Sequence, residues 1–171
     1  MVLPVLAMTL MGCSGDPDPP EESVSPSPEI TAPAMPELAG DDSPAGAEAF
    51  ARHYIEVLNY ASSTGDTDLL RSLSSADCSG CQKYVDLYRS TYDDGGYFRE
   101  SKFVIDATTI DYEEGYSKQY VTLQTTLTEG QHRTSADSAP RTTSATKDTI
   151  SFELSYHQDW VVTQFGLGET K

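Results

Sequence analysis

The sequence predicts an α+β domain in which N-terminal helices pack on a curved antiparallel sheet. Two observations carry this. Apolar residues first repeat at helical spacing and later at strand spacing, and the two kinds of segment do not alternate as they would in a parallel α/β fold. Turn signals fall at the borders of each segment, with "TGD" closing one helix and "DDGG" another.

The first helix is announced by "DDSPAGAEAFARHYIEVLNYASSTGD". Ser43 suits the cap, Pro44 the first helical position, and Glu48 lies near the positive end of the helix dipole. Phe50, Tyr54, Val57, Leu58 and Ala61 form one apolar face, and Gly65 is a natural stop. Asp66 can cap a short second helix carrying Leu69, Leu70 and Leu73. A third begins near Cys78 and sets Cys81, Tyr84, Val85, Tyr88 and Tyr92 near one face.

From residue 97 the period becomes two. "YFRE" reads as a short strand. "SKFVIDATTIDYE" places Phe103, Ile105 and Ala107 on one face, and "QYVTLQTTLTE" does the same for Val121, Leu123 and Leu127. Ile150, Phe152, Leu154 and Tyr156 alternate in a further strand, which turns at His157-Gln158-Asp159 into a last strand with Trp160, Val162 and Phe165. The polar stretch 130–146 is expected to be a mobile hairpin loop.

Ahead of the domain the composition is different. Residues 1–42 hold eight of the 27 acidic residues and none of the 11 basic ones, and residues 14–42 hold seven of the ten prolines. Such a segment buries too little apolar surface to offset its ordering entropy and reads as a tether, able to reach roughly 90 Å if fully extended. The apolar run before it, Val2 to Met11, is about half the ~20 residues that span a bilayer and suits the core of a secretory signal. Leu10-Met11-Gly12-Cys13 resembles the lipobox of bacterial lipoproteins, in which the signal is cut before a cysteine that is then diacylated. With no Lys or Arg before the apolar run, the true start codon is expected upstream. The expected organisation is a signal peptide over 1–12, lipidated Cys13 with a disordered acidic tether over 13–42, and the α+β domain over 43–171. The implied location is the extracytoplasmic face of the cell membrane, held by a diacylglyceryl anchor.

Charge narrows the partners. A formal net charge of −16 without a basic stripe argues against nucleic acid and against direct adsorption to anionic lipid. "CSGC" at Cys78 and Cys81 admits a structural disulfide, a thiol oxidoreductase pair or half a zinc site. The redox reading lacks its usual βαβ context, and zinc lacks ligands, since His53, His132 and His157 are scattered. The disulfide is therefore preferred, and neither metal nor cofactor is expected. His53 is expected at a surface or boundary position, His132 in the loop, and His157 in a solvated turn. "DYEEG" at 111–115 has its glycine misplaced for a calcium loop and reads as a hairpin turn.

"FARHYIEVLNYASSTGDTDLLRSL" and the closing "WVVTQF" strand resemble the cone-shaped domain of nuclear transport factor 2, shared by ketosteroid isomerases and polyketide cyclases. More narrowly, "FARHYIEVLNYASSTGDTDLLRSLSSADCSGC" resembles a domain of unknown function in actinobacterial lipoproteins. The resemblance covers about residues 45–167. It implies a fold and a cellular address, and relatives of this fold often form a homodimer through the outer sheet face. Most of the tyrosines are expected simply to pack, with Tyr54, Tyr88 and Trp160 as the candidates to line the open end of the cone and stack on a ligand. By analogy with the isomerases, Asp106 is the best candidate for a base, although its strand register turns it away from Phe103 and Ile105 toward solvent and no catalytic residue is expected. The function expected is a non-catalytic module that binds a small ligand or an envelope protein, with a small-molecule isomerase or cyclase as the alternative.

Overall fold

The computed structural model describes residues 30–169. The expected signal segment, Cys13 and the first part of the expected tether lie outside them. A short 3-10 turn (Glu37–Gly40) precedes three helices, α1 (Pro44–Thr64), α2 (Asp68–Ser72) and α3 (Ser79–Asp93). Seven strands follow: β1 (Tyr97–Arg99), β2 (Phe103–Asp111), β3 (Lys118–Leu127), β4 (Gly130–Arg133), β5 (Arg141–Thr143), β6 (Thr146–Tyr156) and β7 (Trp160–Glu169). They form two antiparallel sheets, a larger one in the order β2-β3-β6-β7 and a smaller one in the order β1-β4-β5. The fold is α+β, with few helices packed on open antiparallel sheets.

α1 begins and ends where its caps require. The Ser43 hydroxyl accepts the Gly46 amide at 3.0 Å, and Gly65 turns the chain out at φ 78°, a conformation that costs glycine little. Its buried surface is wider than the expected stripe, since Ala47, Ala51, His53 and Ile55 are buried beside Phe50, Tyr54, Val57, Leu58 and Ala61. The reason is that α1 is enclosed from several sides, touching the 3-10 turn, α2, α3, β1, β2 and β3. Asp66 supports α2 by accepting the Asp68 amide at 3.0 Å, one residue before the cap at Thr67. Cys78 caps α3, its sulfur accepting the Cys81 amide at 3.2 Å. Gly80 is required there, because a β-carbon would collide with the Phe165 carbonyl of β7.

Two bulges re-aim the main sheet. The β2–β3 register shifts between Ile105 and Ala107, so Ala107 pairs with Gln124 and is exposed, whereas Phe103 and Ile105 face the core. The expected placement of Ala107 with them is therefore corrected, because one extra residue inverts the alternation. The second shift, opposite Glu153 and Leu154, lets Val162 and Phe165 of β7 both face inward at a spacing of three. The core between helices and sheet holds Phe50, Tyr54, Leu58, Val121, Leu123, Ile150, Phe152, Leu154 and Trp160, each no more than 2% exposed. Each such burial stabilises the fold by about 1.5–3 kcal/mol before entropy is counted.

The stretch expected as a mobile loop, 130–146, is ordered instead. β4 pairs with both β1 and β5, and the Phe98 and His132 rings stack at 5.9 Å. Threonines and alternating polar residues pair as strands here because β1 offers an edge, which local polarity does not reveal.

The fold also extends upstream of the boundary that composition suggests at 42/43. Ala39 is 3% exposed, the Trp160 indole donates to the Asp41 carbonyl at 2.9 Å, and the Tyr156 hydroxyl donates to the Gly40 carbonyl at 2.9 Å. Two large aromatic side chains thus satisfy their polar atoms on the end of the 3-10 turn and the residue after it. Among the described residues, no helix is long and apolar enough to cross a membrane.

Candidate functional site

The residues expected at a pocket sit as follows. Tyr54 is 1% exposed, meets Phe152 edge-on at 5.5 Å and shares a hydrogen bond with the Ser74 hydroxyl at 2.9 Å. Burial pushes its phenol up to about 12, so it acts as a neutral hydrogen-bonding group. Tyr88 is buried against Tyr84 and Phe98, and burial raises its pKa as well. Trp160 packs edge-on to Tyr156 at 4.9 Å and borders a cleft of about 340 Å³ with Met35, Phe50 and Leu73. The three rings belong to one buried cluster, in which ring contacts run from Tyr54 through Phe165 and Tyr84 to Tyr88.

Asp106 lies on the exposed side of β2 at the bulge, where its carboxylate accepts the Thr126 hydroxyl at 2.7 Å. Its strand neighbours Phe103 and Ile105 point the other way. Cys78 and Cys81 form a disulfide and are each 1% exposed. An incoming thiolate would have no line of approach to either sulfur. Among the described residues, no three His, Cys, Asp or Glu side chains gather where one metal ion could be held.

The histidines diverge from one another. His157 occupies the β6–β7 turn, 3.3 Å from the Ser155 hydroxyl. His132 lies in β4, its Nδ1 3.0 Å from the Thr143 hydroxyl. His53, expected at a boundary, is 1% exposed, and neither ring nitrogen has a hydrogen-bond partner. The Glu56 carboxylate stands 3.8 Å from its Nδ1. Burial lowers the His53 pKa, and Glu56 opposes that shift without cancelling it.

Two surface features bear on binding. A cleft of about 310 Å³ runs between α1 and the free edge of β2, lined by Arg52, Ile55, Glu56, Asn59, Lys102, Phe103, Val104 and Ile105. Arg52 spans it, donating to the Thr108 hydroxyl at 2.8 Å while pairing with Glu48 at 2.7 Å. The second feature is on the small sheet. Tyr97 and Arg133 are register partners, and Arg99 lies two residues beyond Tyr97, so all three share one face. The Arg99 guanidinium carbon is 4.0 Å from the centre of the Tyr97 ring and that of Arg133 is 5.1 Å away, both within cation–π range. Arg133 also donates from Nη2 to the Gly95 carbonyl at 2.9 Å, while its buried Nε has no partner.

Sequence reasoning missed this cluster, because it assigned Arg133 to a loop. One signal was present. Arg52, Arg71 and Arg89 each follow an acid by three or four residues on a helix and pair with it. Glu129 and Asp137 stand at the same offset before Arg133 and Arg141, but strand geometry sends those positions apart.

No curated protein matches the chain. Among solved structures it is similar to the intermembrane space region of the chloroplast protein ARC6, with a TM-score of 0.55 at 10% identity. That likeness covers 76% of this chain and 99% of the other, and it speaks to the fold alone. The match to a family described only as of unknown function, DUF6318, runs over residues 20–165, and the chain belongs to that family.

Proposed function

We propose that the chain is a non-catalytic binding module of the cell envelope, held at the extracytoplasmic face by a lipid on Cys13. The observation that carries the non-catalytic part is the filled interior. Where an isomerase-like cone would keep a chamber with a carboxylate, Phe50, Tyr54, Phe152 and Phe165 are in van der Waals and ring contact, with Tyr54 and Phe165 centred 5.8 Å apart. The one carboxylate proposed as a base, Asp106, faces solvent and is spent on Thr126. Binding would then use the outer surface, where the α1–β2 cleft and the Tyr97–Arg133 face lie. The cone-type fold and the kinship with actinobacterial lipoproteins belong to this same proposal, supported by the "FARHYIEVLNYASSTGD" helix and the closing strand.

The anchoring part is supported by Leu10-Met11-Gly12-Cys13, the proline-rich segment after it, and a buried disulfide of the kind that persists in oxidising compartments. Its test is metabolic labelling with a radioactive fatty acid in a bacterial host that processes lipoproteins. The wild type should carry label and sediment with membranes, and Cys13→Ser should do neither. Label retained in Cys13→Ser would overturn the anchor. The binding part is tested by native mass spectrometry of the protein purified without reductant. A bound ligand or co-purifying partner lost on surface substitution supports it, and turnover of any carbonyl substrate dependent on Asp106 would overturn it.

A further inference from the structure

The small sheet gathers three of the chain's six arginines, Arg99, Arg133 and Arg141. Arg52, Arg71 and Arg89 have carboxylate partners at 2.7, 2.7 and 2.9 Å. Among the described residues, Arg99, Arg133 and Arg141 have none within the 4.0 Å that defines an ion pair. In a chain with 27 acids against 11 bases, these three cations stand without a counter-charge. Glu100, Glu129, Asp94 and Asp137 are near in sequence, yet none of them closes on an arginine.

Two of the three are held in a defined arrangement. Arg99 and Arg133 lie against the same Tyr97 ring, at 4.0 and 5.1 Å. A guanidinium over an aromatic face keeps its N–H edge available to oxygen acceptors. Arg133 is fixed by its bond to the Gly95 carbonyl; its Nε is enclosed and without an acceptor, so an anion would meet this guanidinium at its outer N–H groups. Two like charges on one ring also repel until an anion joins them.

The backbone beside Arg99 is strained in a way that sets its position. Glu100 has φ 66°, the left-handed region that non-glycine residues seldom occupy, and is the one such residue described. It is held there by Thr128, whose hydroxyl donates to the Glu100 carbonyl at 3.0 Å and accepts the Lys102 amide at 3.0 Å. This turn carries the chain from the small sheet into β2, and it presents Arg99 on the Tyr97 face.

We propose that Tyr97, Arg99 and Arg133 form an oxyanion site that takes a phosphoryl group. Two guanidiniums match the charge of about −1.5 to −2 on a phosphate monoester, and its tetrahedral oxygens can accept from both. A carboxylate, with one charge, would leave one arginine uncompensated. The phosphoryl group can arrive as a soluble or polymer-borne phosphate or as a phospholipid headgroup, since the recognised chemistry is shared. This names a ligand class for the binding module proposed above and rests on that reading.

The test uses the full 171-residue chain labelled with nitrogen-15, titrated with sodium phosphate against sodium chloride at matched ionic strength. Saturable shifts are expected at the amides of 97–99 and 131–133 and at the side-chain Nε–H signals of Arg99 and Arg133. Arg99→Gln should weaken apparent affinity by roughly tenfold or more, Arg99→Lys should recover part of it, and Arg71→Gln should change nothing. Sodium acetate should give no saturable shift. Sedimentation with phosphatidylcholine vesicles, with and without phosphatidylglycerol, separates the sources. Binding only to the anionic vesicles, lost in Arg99→Gln, assigns the group to a headgroup. Phosphate binding without vesicle binding assigns it to a soluble or polymer-borne ester. Absence of both, or an acetate response equal to that of phosphate, overturns the phosphoryl site. A partner still captured in native mass spectrometry would then leave the binding module standing without it.

Discussion

Asn59 of α1 pairs with the backbone of Phe103 as a neighbouring strand would. Its side-chain oxygen accepts the Phe103 amide at 2.8 Å, and its nitrogen donates to the Phe103 carbonyl at 2.9 Å. Both backbone groups therefore point away from β3, toward the edge where no further strand exists. One helical side chain thus satisfies the start of β2 and locks α1 to the main sheet.

Asn59→Ala should cost about 2–3 kcal/mol, since it removes two hydrogen bonds and leaves two part-buried backbone groups without partners. Asn59→Asp should recover little, because a carboxylate keeps the acceptor and sets a negative charge against the Phe103 carbonyl. Urea denaturation of the three proteins checks the order. A loss under about 0.5 kcal/mol for Asn59→Ala would mean that water replaces the pair at no cost.

His53 should make the protein acid-sensitive. Its folded pKa is lowered by burial, so the unfolded chain binds the proton more readily. The sign follows: its contribution is intact above the unfolded value near 6.5, and stability falls as pH drops through that value toward the folded one. Glu56 beside its Nδ1 softens this loss. His53→Leu should flatten the stability profile between pH 7 and 5, measured as the urea midpoint. An unchanged slope in the variant would assign the sensitivity elsewhere.

The Cys78–Cys81 disulfide should contribute less than the ~3 kcal/mol of a 15-residue loop, because the ring it closes is short. Burial of both sulfurs should make reduction slow under native conditions and fast in denaturant. Thiol labelling with and without urea, in the presence of reductant, reads this directly. Rapid labelling of the native protein would revive the redox reading set aside above.

A chain beginning at residue 43 should be less stable than one beginning at residue 30, by about 2–4 kcal/mol. It loses Ala39 from the core and strips the acceptors from the Trp160 indole and the Tyr156 hydroxyl. Trp160→Phe in the longer chain should reproduce part of that loss. Equal melting midpoints for the two lengths would show residues 36–42 to be energetically idle.

Gly80→Ala should destabilise the protein although alanine is the better helix former. Its methyl group would strike the Phe165 carbonyl, so α3 must shift off β7. A neutral or stabilising result in thermal unfolding would mean that this helix is free to move outward.

What the chain alone determined was whatever depends on near neighbours. Ser43, Pro44 and Gly65 bound α1 because caps act within one turn, and the switch from helical to strand period separates α3 from the sheet. The hairpin turns at Gly115 and at 157–159 were legible for the same reason. The Cys78–Cys81 pairing was readable from spacing and context, with alternatives that its burial later disfavoured.

Tertiary structure decided what depends on distant partners. Ala107 turns outward because of a bulge set by the β3 register, which no local alternation encodes. Residues 130–133 and 141–143 are strands because β1 offers an edge, and residues 36–42 are ordered because Trp160 and Tyr156 bond to them across more than a hundred residues. His53 is buried because α1 is enclosed on more sides than its apolar stripe suggests. The Tyr97–Arg99–Arg133 face has the same origin. Its two arginines lie in different strands, and their shared ring and missing counter-charges exist only once those strands pair, because side-chain electrostatics follow distance in space and not along the chain.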